Sequence, residues 1–302
     1  MVGAWLVVIA LGATPGSASA DTVIAEEAAE FSAAAFGDAV AWSRYLPERR
    51  RYALMIRTPK GVHRARVPLS GGPFDVDLAA NRRGGLAVVY TRRCARSDCS
   101  FEVYRYDLGR RRERRLTRTD GVDELEPKLW RGRVAFLQRV GSRHRLVVKR
   151  RGRVRAVRLP RWTRRALITG FDLRGALVAT TWERRYNTCS GIAPLGWELL
   201  VSREGRAPRV LDRDCEGGNT QEMDFPQLLP HGVAYRRLES VKASPYRPFL
   251  TRIGMDGFFR GSRALPDNVA SLAVAEDAAY VVRHAEPQEP GQQERWALVA
   301  LD

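Results

Sequence analysis

The chain has 302 residues, 44% hydrophobic and 9% aromatic, which excludes a disordered chain and allows one large domain or two small ones. Its formal charge is +17 at pH 7, carried almost wholly by arginine, because only Lys60, Lys128, Lys149 and Lys242 are lysines. That ratio partly reflects GC-rich coding, so basicity alone is modest evidence for an anionic partner.

The first twenty residues carry no charge, and AWLVVIALGA (4–13) is an apolar run of signal-peptide length. TPGSASA follows, with a small-x-small site at Ala18-Ser19-Ala20, so residues 1–20 read as a signal peptide cleaved before Asp21. The run is too short to span a bilayer, and a buried N-terminal helix is the competing reading. No Lys or Arg precedes it, which suggests a start codon further upstream. Residues 21–302 then form a single mature domain, secreted or held in the periplasm or cell envelope. Four cysteines suit such an oxidising compartment.

From residue 37 onward a phrase recurs: GDAVAW (37–42), GGLAVVY (84–90), RGRVAF (131–136), RGALVAT (174–180) and HGVAY (231–235). Aligned on Trp42, Tyr90, Phe136, Thr180, Tyr235 and Tyr280, the intervals are 48, 46, 44, 55 and 45, the period of a propeller blade. Upstream of each phrase a short apolar run ends in Leu78, Leu129, Leu173, Leu228 or Leu272. Downstream come an alternating run (RRYALMIRTP, SFEVYRYDL, HRLVVKRRG, WELLVSREG), a tight turn, and a fourth run such as RVRAVRLP or FRGSRALP. Short length and period-two alternation make these strands. They predict an all-β fold: a six-bladed β-propeller of four-stranded antiparallel blades, A to D from the centre outward.

The last blade ends at strand C, so its strand D falls to the mature N-terminus, DTVIAEE (21–27), closing the ring and removing a free edge. Alanine and glutamate would also suit a helix over AEEAAEFSAAAF (25–36), but the ring would then lack a strand.

EPKLWRGRVAF (126–136) and FPQLLPHGVAY (225–235) resemble the TolB-type, WD40-like propeller repeat: proline, an apolar residue, a turn with glycine, then an apolar pair and an aromatic. The aspartate usual before the turn glycine is here Arg131, Arg174 or His231. The resemblance implies a fold, not a reaction.

In such a blade the A–B and C–D turns share one face, and the B–C and D–A loops share the other. The C–D turns are short and the B–C loops of blades four to six are long, so binding is expected on the long-loop face. Disulfides Cys94–Cys99 and Cys189–Cys215 would both form on that face. An arginine follows each phrase: Arg44, Arg92, Arg139, Arg184, Arg236 and Arg283. These could ring the channel mouth and grip phosphate or carboxylate, or simply cap solvated strand ends. Strand A offers the channel Asp77, Lys128, Asp172, Gln227 and Ser271, with Ala34 in the first blade: a candidate ligand site, or ordinary channel solvation. KRRGRVRAVRLPRWTRR (149–165) holds the densest positive charge, a guard against edge pairing or a contact for an anionic envelope polymer.

No catalytic, metal or dinucleotide motif is present, and no cofactor is implied. Nucleic acid is not the expected partner, because no stacking pattern or binding motif accompanies the charge. The chain therefore reads as an exported, monomeric, non-enzymatic binding or scaffold protein for a protein or anionic envelope polymer. The alternative is a hydrolase or lyase acting on an anionic polymer at the channel mouth.

Overall fold

The computed structural model describes residues 22–27, 31–93, 100–119, 121–141, 143–185, 195–204, 206–215, 220–239, 247–266, 269–274, 278–285 and 295–301. The apolar leader at 1–20, Cys94, Cys99, Cys189 and most of the three long B–C loops lie outside these residues, as do the side chains of Cys215 and His284. Both expected disulfides therefore fall outside what is described.

Blade one is β2 (Ala33–Phe36), β3 (Ala39–Leu46), β4 (Arg51–Thr58) and β5 (Gly61–Arg64). Blade two is β6 (Val76–Ala80), β7 (Leu86–Arg93), β8 (Phe101–Asp107) and β9 (Arg112–Arg115). Blade three is β10 (Asp123–Trp130), β11 (Arg133–Val140), β12 (Arg143–Arg150) and β13 (Arg153–Ala156). Blade four is β14 (Leu167–Arg174), β15 (Leu177–Arg185), β16 (Leu195–Arg203) and β17 (Arg209–Cys215). Blade five is β18 (Thr220–Leu229), β19 (Gly232–Glu239), β20 (Arg247–Gly254) and β21 (Phe259–Ala264). Blade six joins β22 (Val269–Val274), β23 (Ala279–Ala285) and β24 (Arg295–Leu301) to β1 (Thr22–Glu27), in the order β1-β24-β23-β22. The fold is a six-bladed, all-β propeller, and the strand from the N-terminus closes it.

Closure is chemical as well as topological. Glu27 at the end of β1 is buried, and its Oε1 accepts the Trp42 indole N–H and the Arg44 Nε–H of blade one, each at 2.8 Å. The N-terminal strand thus holds blade six by its ladder with β24 and blade one by a buried carboxylate.

The core lies between blades, where neighbouring sheets pack face to face. Trp42, Tyr90, Phe136 and Tyr235 of the repeated phrase are fully buried, each clustered with residues of the preceding blade. Thr180 takes this place in blade four and accepts the Trp182 indole N–H at 2.8 Å. Blade six departs from the sequence alignment. Leu272 pairs with Val281, as Leu78 pairs with Val88, so the position of Tyr90 falls on Arg283 rather than Tyr280. Tyr280 pairs with Ala273 and packs toward blade one instead.

Bulges interrupt strand A in blades three to six, and two of them hold the proline of the repeat, between Leu125 and Lys128 and between Asp224 and Gln227. At each, the residue before proline, Glu126 or Phe225, sits at positive φ (51° and 46°), where proline normally excludes its predecessor from helical conformations. The proline of the repeat thus marks a bulge. Gly170 makes room for the second: a Cβ there would lie 2.8 Å from Cδ of Pro226.

Candidate functional site

At alternate joints the strand A position before the motif leucine ties one blade to the next. The Leu129 amide donates to Asp77 Oδ2 at 2.5 Å, and the Leu228 amide donates to Asp172 Oδ2 at 2.6 Å. At the last joint the Ala33 amide reaches Ser271 Oγ at 3.5 Å. An inner strand has a free edge, and its N–H groups need acceptors. Carboxylates on the adjoining blade supply them.

Burial pushes the Asp77 carboxyl up to about 7, against the opposing pull of Lys128, with Asp172 adding to the rise. Asp172 is raised by the same burial and eased by Lys128. Desolvation also raises Asp75, just before β6, and Glu126 in β10, although Glu126 keeps an exposed surface, and Lys128 opposes both rises. Lys128 is thus the positive centre among these acids. Asp77, Asp172 and Gln227 line a cavity of about 260 Å³ together with Phe36, Trp130 and Tyr280. Its lining also includes the A–B turn residues Gly37 and Asp38, which belong to the short-turn face. Among the described residues, no three His, Cys, Asp or Glu side chains converge as a metal site.

The phrase-following arginines sit mostly in ion pairs. Arg44 binds Glu27, Arg92 lies 3.4 Å from Glu113, Arg139 lies 2.7 Å from Asp123, and Arg184 lies 3.2 Å from the buried Glu198. Arg236 grips Asp224 through two nitrogens and donates to the Val269 carbonyl at 2.7 Å. Burial nonetheless raises Asp224 to about 6, with Arg236 pulling the other way. Arg283 pairs within blade six with Val269, the residue whose carbonyl accepts Arg236 from blade five. These guanidinium groups tie strands and blades together.

Charge with few acidic partners gathers instead around the short turns of blades two to four. A cleft of about 780 Å³ between blades three and four is lined by Arg133, Arg150, Arg151, Arg153, Arg155, Arg158 and Arg203. Glu204 is its one acid, 2.8 Å from Arg133 and 3.9 Å from Arg155. Arg150, Arg151, Arg153, Arg158 and Arg203 are exposed and make no ion pair among the described residues. A second cleft, about 650 Å³, lies between blades two and three and carries Arg82, Arg83, Arg105, Arg110, Arg114, Lys149 and Arg151 around Asp107. Arg151 lines both clefts, so the two form one surface.

Part of the dense charge at 149–165 lies on this short-turn side, and most of the long-loop face where binding is expected lies outside the described residues. The turns NRRGG (81–85), RG (131–132) and RRGR (150–153) all add charge on the short-turn side. The strand-D segment of blade three is more open than its alternation implies. Every residue of β13 is exposed, Val154 included.

No family model and no curated protein matches the chain. Solved structures do. TolB from Acinetobacter baumannii superposes with a TM-score of 0.54 at 16% identity, over 78% of this chain and 54% of that one. A puromycin-hydrolysing peptidase of Mycobacterium tuberculosis gives 0.55 at 14% identity, over 90% and 51%. An oligogalacturonate lyase in complex with manganese gives 0.53 at 11% identity, over 85% and 71%. The likeness is one of fold. The chain spans about half the length of the TolB and peptidase structures, and a lyase and a peptidase on the same scaffold show that the ring alone decides no activity. No helix among the described residues is long and apolar enough to cross a membrane.

Proposed function

We propose that the chain is an exported, non-enzymatic propeller, acting as a monomer, whose short-turn face binds an anionic component of the cell envelope. The observation that carries this reading is the pair of joined clefts across blades two to four, where exposed arginines crowd together with only Asp107 and Glu204 among them. Like charges held this close repel one another and destabilise the compact state unless an anion is present. Guanidinium groups in a fork geometry match phosphate and carboxylate oxygens, so a partner bearing those groups relieves the repulsion and gains paired hydrogen bonds. The channel residues Asp77, Lys128, Asp172 and Gln227 support the face from beneath. The long loops of blades four to six remain the place for selectivity toward a protein partner.

Binding to long-chain polyphosphate, a soluble polyanion, tests the reading. The protein should bind it tightly at low salt and lose affinity steeply as ionic strength rises. The combined variant Arg151→Glu, Arg153→Glu and Arg155→Glu should weaken binding by about a hundredfold or more, since each reversal turns an attraction into a repulsion. Affinity unchanged by these substitutions or by salt would sink the proposal.

A further inference from the structure

The arginine face continues into blade five, and there its chemistry changes. Phe258 and Phe259 are 69% and 64% exposed, the most exposed large hydrophobic side chains among the described residues. They stand beside the exposed Arg260 and Arg263 at the C–D turn of that blade. Contacts between turns make the surface continuous. Arg133 and Arg155 of blade three meet Glu204 in the C–D turn of blade four. Arg209, where that turn re-enters the sheet, donates to the carbonyls of Met255 and Asp256 at 2.9 and 2.7 Å in the C–D turn of blade five.

The phenylalanines are held in place. The Phe258 amide donates to Asp256 Oδ1 at 3.0 Å, and its carbonyl accepts the Gly254 amide at 2.8 Å. Gly257 supplies the positive φ (89°) that the turn needs, and the Met255 amide anchors the turn to the His231 carbonyl at 3.2 Å. A rigid turn therefore presents two aromatic rings outward at little further cost in conformational entropy.

A soluble polyanion has no use for two projecting phenyl rings. A bilayer does: acidic headgroups attract arginines, and aromatic side chains enter the boundary between headgroup and acyl chain. The turns that build this face are short, which suits a planar partner. We infer that the anionic component is the surface of an acidic lipid bilayer, with the arginine clefts holding headgroups and Phe258 and Phe259 entering the interface. This rests on the anion-binding reading above, and it names the partner of that same face.

Vesicles of phosphatidylcholine with phosphatidylglycerol, set against pure phosphatidylcholine vesicles and soluble polyphosphate, test it by co-sedimentation. The protein should bind the acidic vesicles and leave the zwitterionic ones. Replacing both rings, Phe258→Ser with Phe259→Ser, should lower partition onto acidic vesicles by about tenfold or more while polyphosphate binding holds, because only the bilayer gains from burying them. Because these rings stand in solvent, the double variant should keep its melting temperature. Phe258→Trp should retain vesicle binding, since tryptophan also favours the interface. Vesicle binding indifferent to the double substitution overturns the inference. So does binding of polyphosphate without acidic vesicles, which would make the partner a soluble polymer. Loss of both probes in the wild-type protein would overturn the anion-binding proposal as well.

Discussion

At the scale of the residue, the channel carboxylates show how a group chosen for a ligand can have a structural task. Asp77 and Asp172 accept amides of the next blade's inner strand, so their burial satisfies an edge that would otherwise face the channel unpaired. The raised Asp77 pKa has a consequence with a definite sign. The folded protein holds that proton up to about pH 7, whereas the unfolded chain releases it near 3.8. The stabilising contribution is therefore complete below the unfolded value and is lost as pH rises through about 7. Asp77→Asn keeps an acceptor for Leu129 and removes the titration. Between about pH 4 and 7 the wild type should lose stability relative to this variant, by at most about 1.4 kcal/mol per pH unit. Urea titrations at stepped pH would show the wild-type midpoint falling relative to the variant's as pH rises, and parallel curves would refute the assignment. The sequence placed both aspartates in the channel but could not show this task, because the amide partners lie 52 and 56 residues away. The repeat's glycine was read less well. Gly132 sits at φ +77° in its turn, but Gly232 falls one place later, at the start of β19, where a Cβ would lie 2.2 Å from the Ile253 carbonyl oxygen. One letter in the repeat thus answers two different constraints.

At the scale of the element, period-two alternation was enough to find strands, and the missing strand was enough to place β1. In the structure Ala25 and Glu27 give the strand its physical reason. Both face inward from β1, and Glu27 meets Trp42 and Arg44 across the joint. A helix there would leave the β24 edge open. Glu27→Ala removes the acceptor for two donors at once and should cost about 2 kcal/mol, less than a fully buried pair would because Arg44 is partly exposed. Amide exchange should locate the damage: protection should fall first in β24 and β3 and hold in blades three and four. A uniform fall across all six blades would show that the clasp has no local role. What escaped the sequence at this scale was the segment after β13. RWTRR (161–165) reads as solvated charge, yet it folds into a short 3-10 turn. That turn sets Trp162 edge-on to Trp182 at 5.9 Å, with the Arg184 guanidinium 4.1 Å over the Trp162 ring. Aromatic packing at a blade joint is invisible in a run dominated by arginine.

At the scale of the whole molecule, a charge of +17 is a standing cost to folding, and the fold distributes it unevenly. Arginines following the repeated phrase are neutralised within the sheets by Glu27, Asp123, Glu198 and Asp224. Those around the short turns of blades two to four have only Glu204 and Asp107 among them, and they line clefts wide enough for an oxyanion. Stability should therefore depend on which anion is present as well as on ionic strength. Any salt screens the repulsion, but a multivalent oxyanion that enters the clefts also binds the native state and stabilises it by mass action. Millimolar inorganic phosphate should raise the melting temperature above that in sodium chloride of matched ionic strength. At such concentrations the general exclusion of phosphate from protein surfaces adds little. The variant with Arg151, Arg153 and Arg155 changed to glutamate separates the two effects. It should melt at or above the wild-type temperature in chloride, because the repulsion is relieved, and should show no further gain in phosphate, because the sites are gone. If phosphate and chloride act alike on the wild type, the clefts are solvated surface, and the charge of the face serves only to keep the molecule apart from its copies.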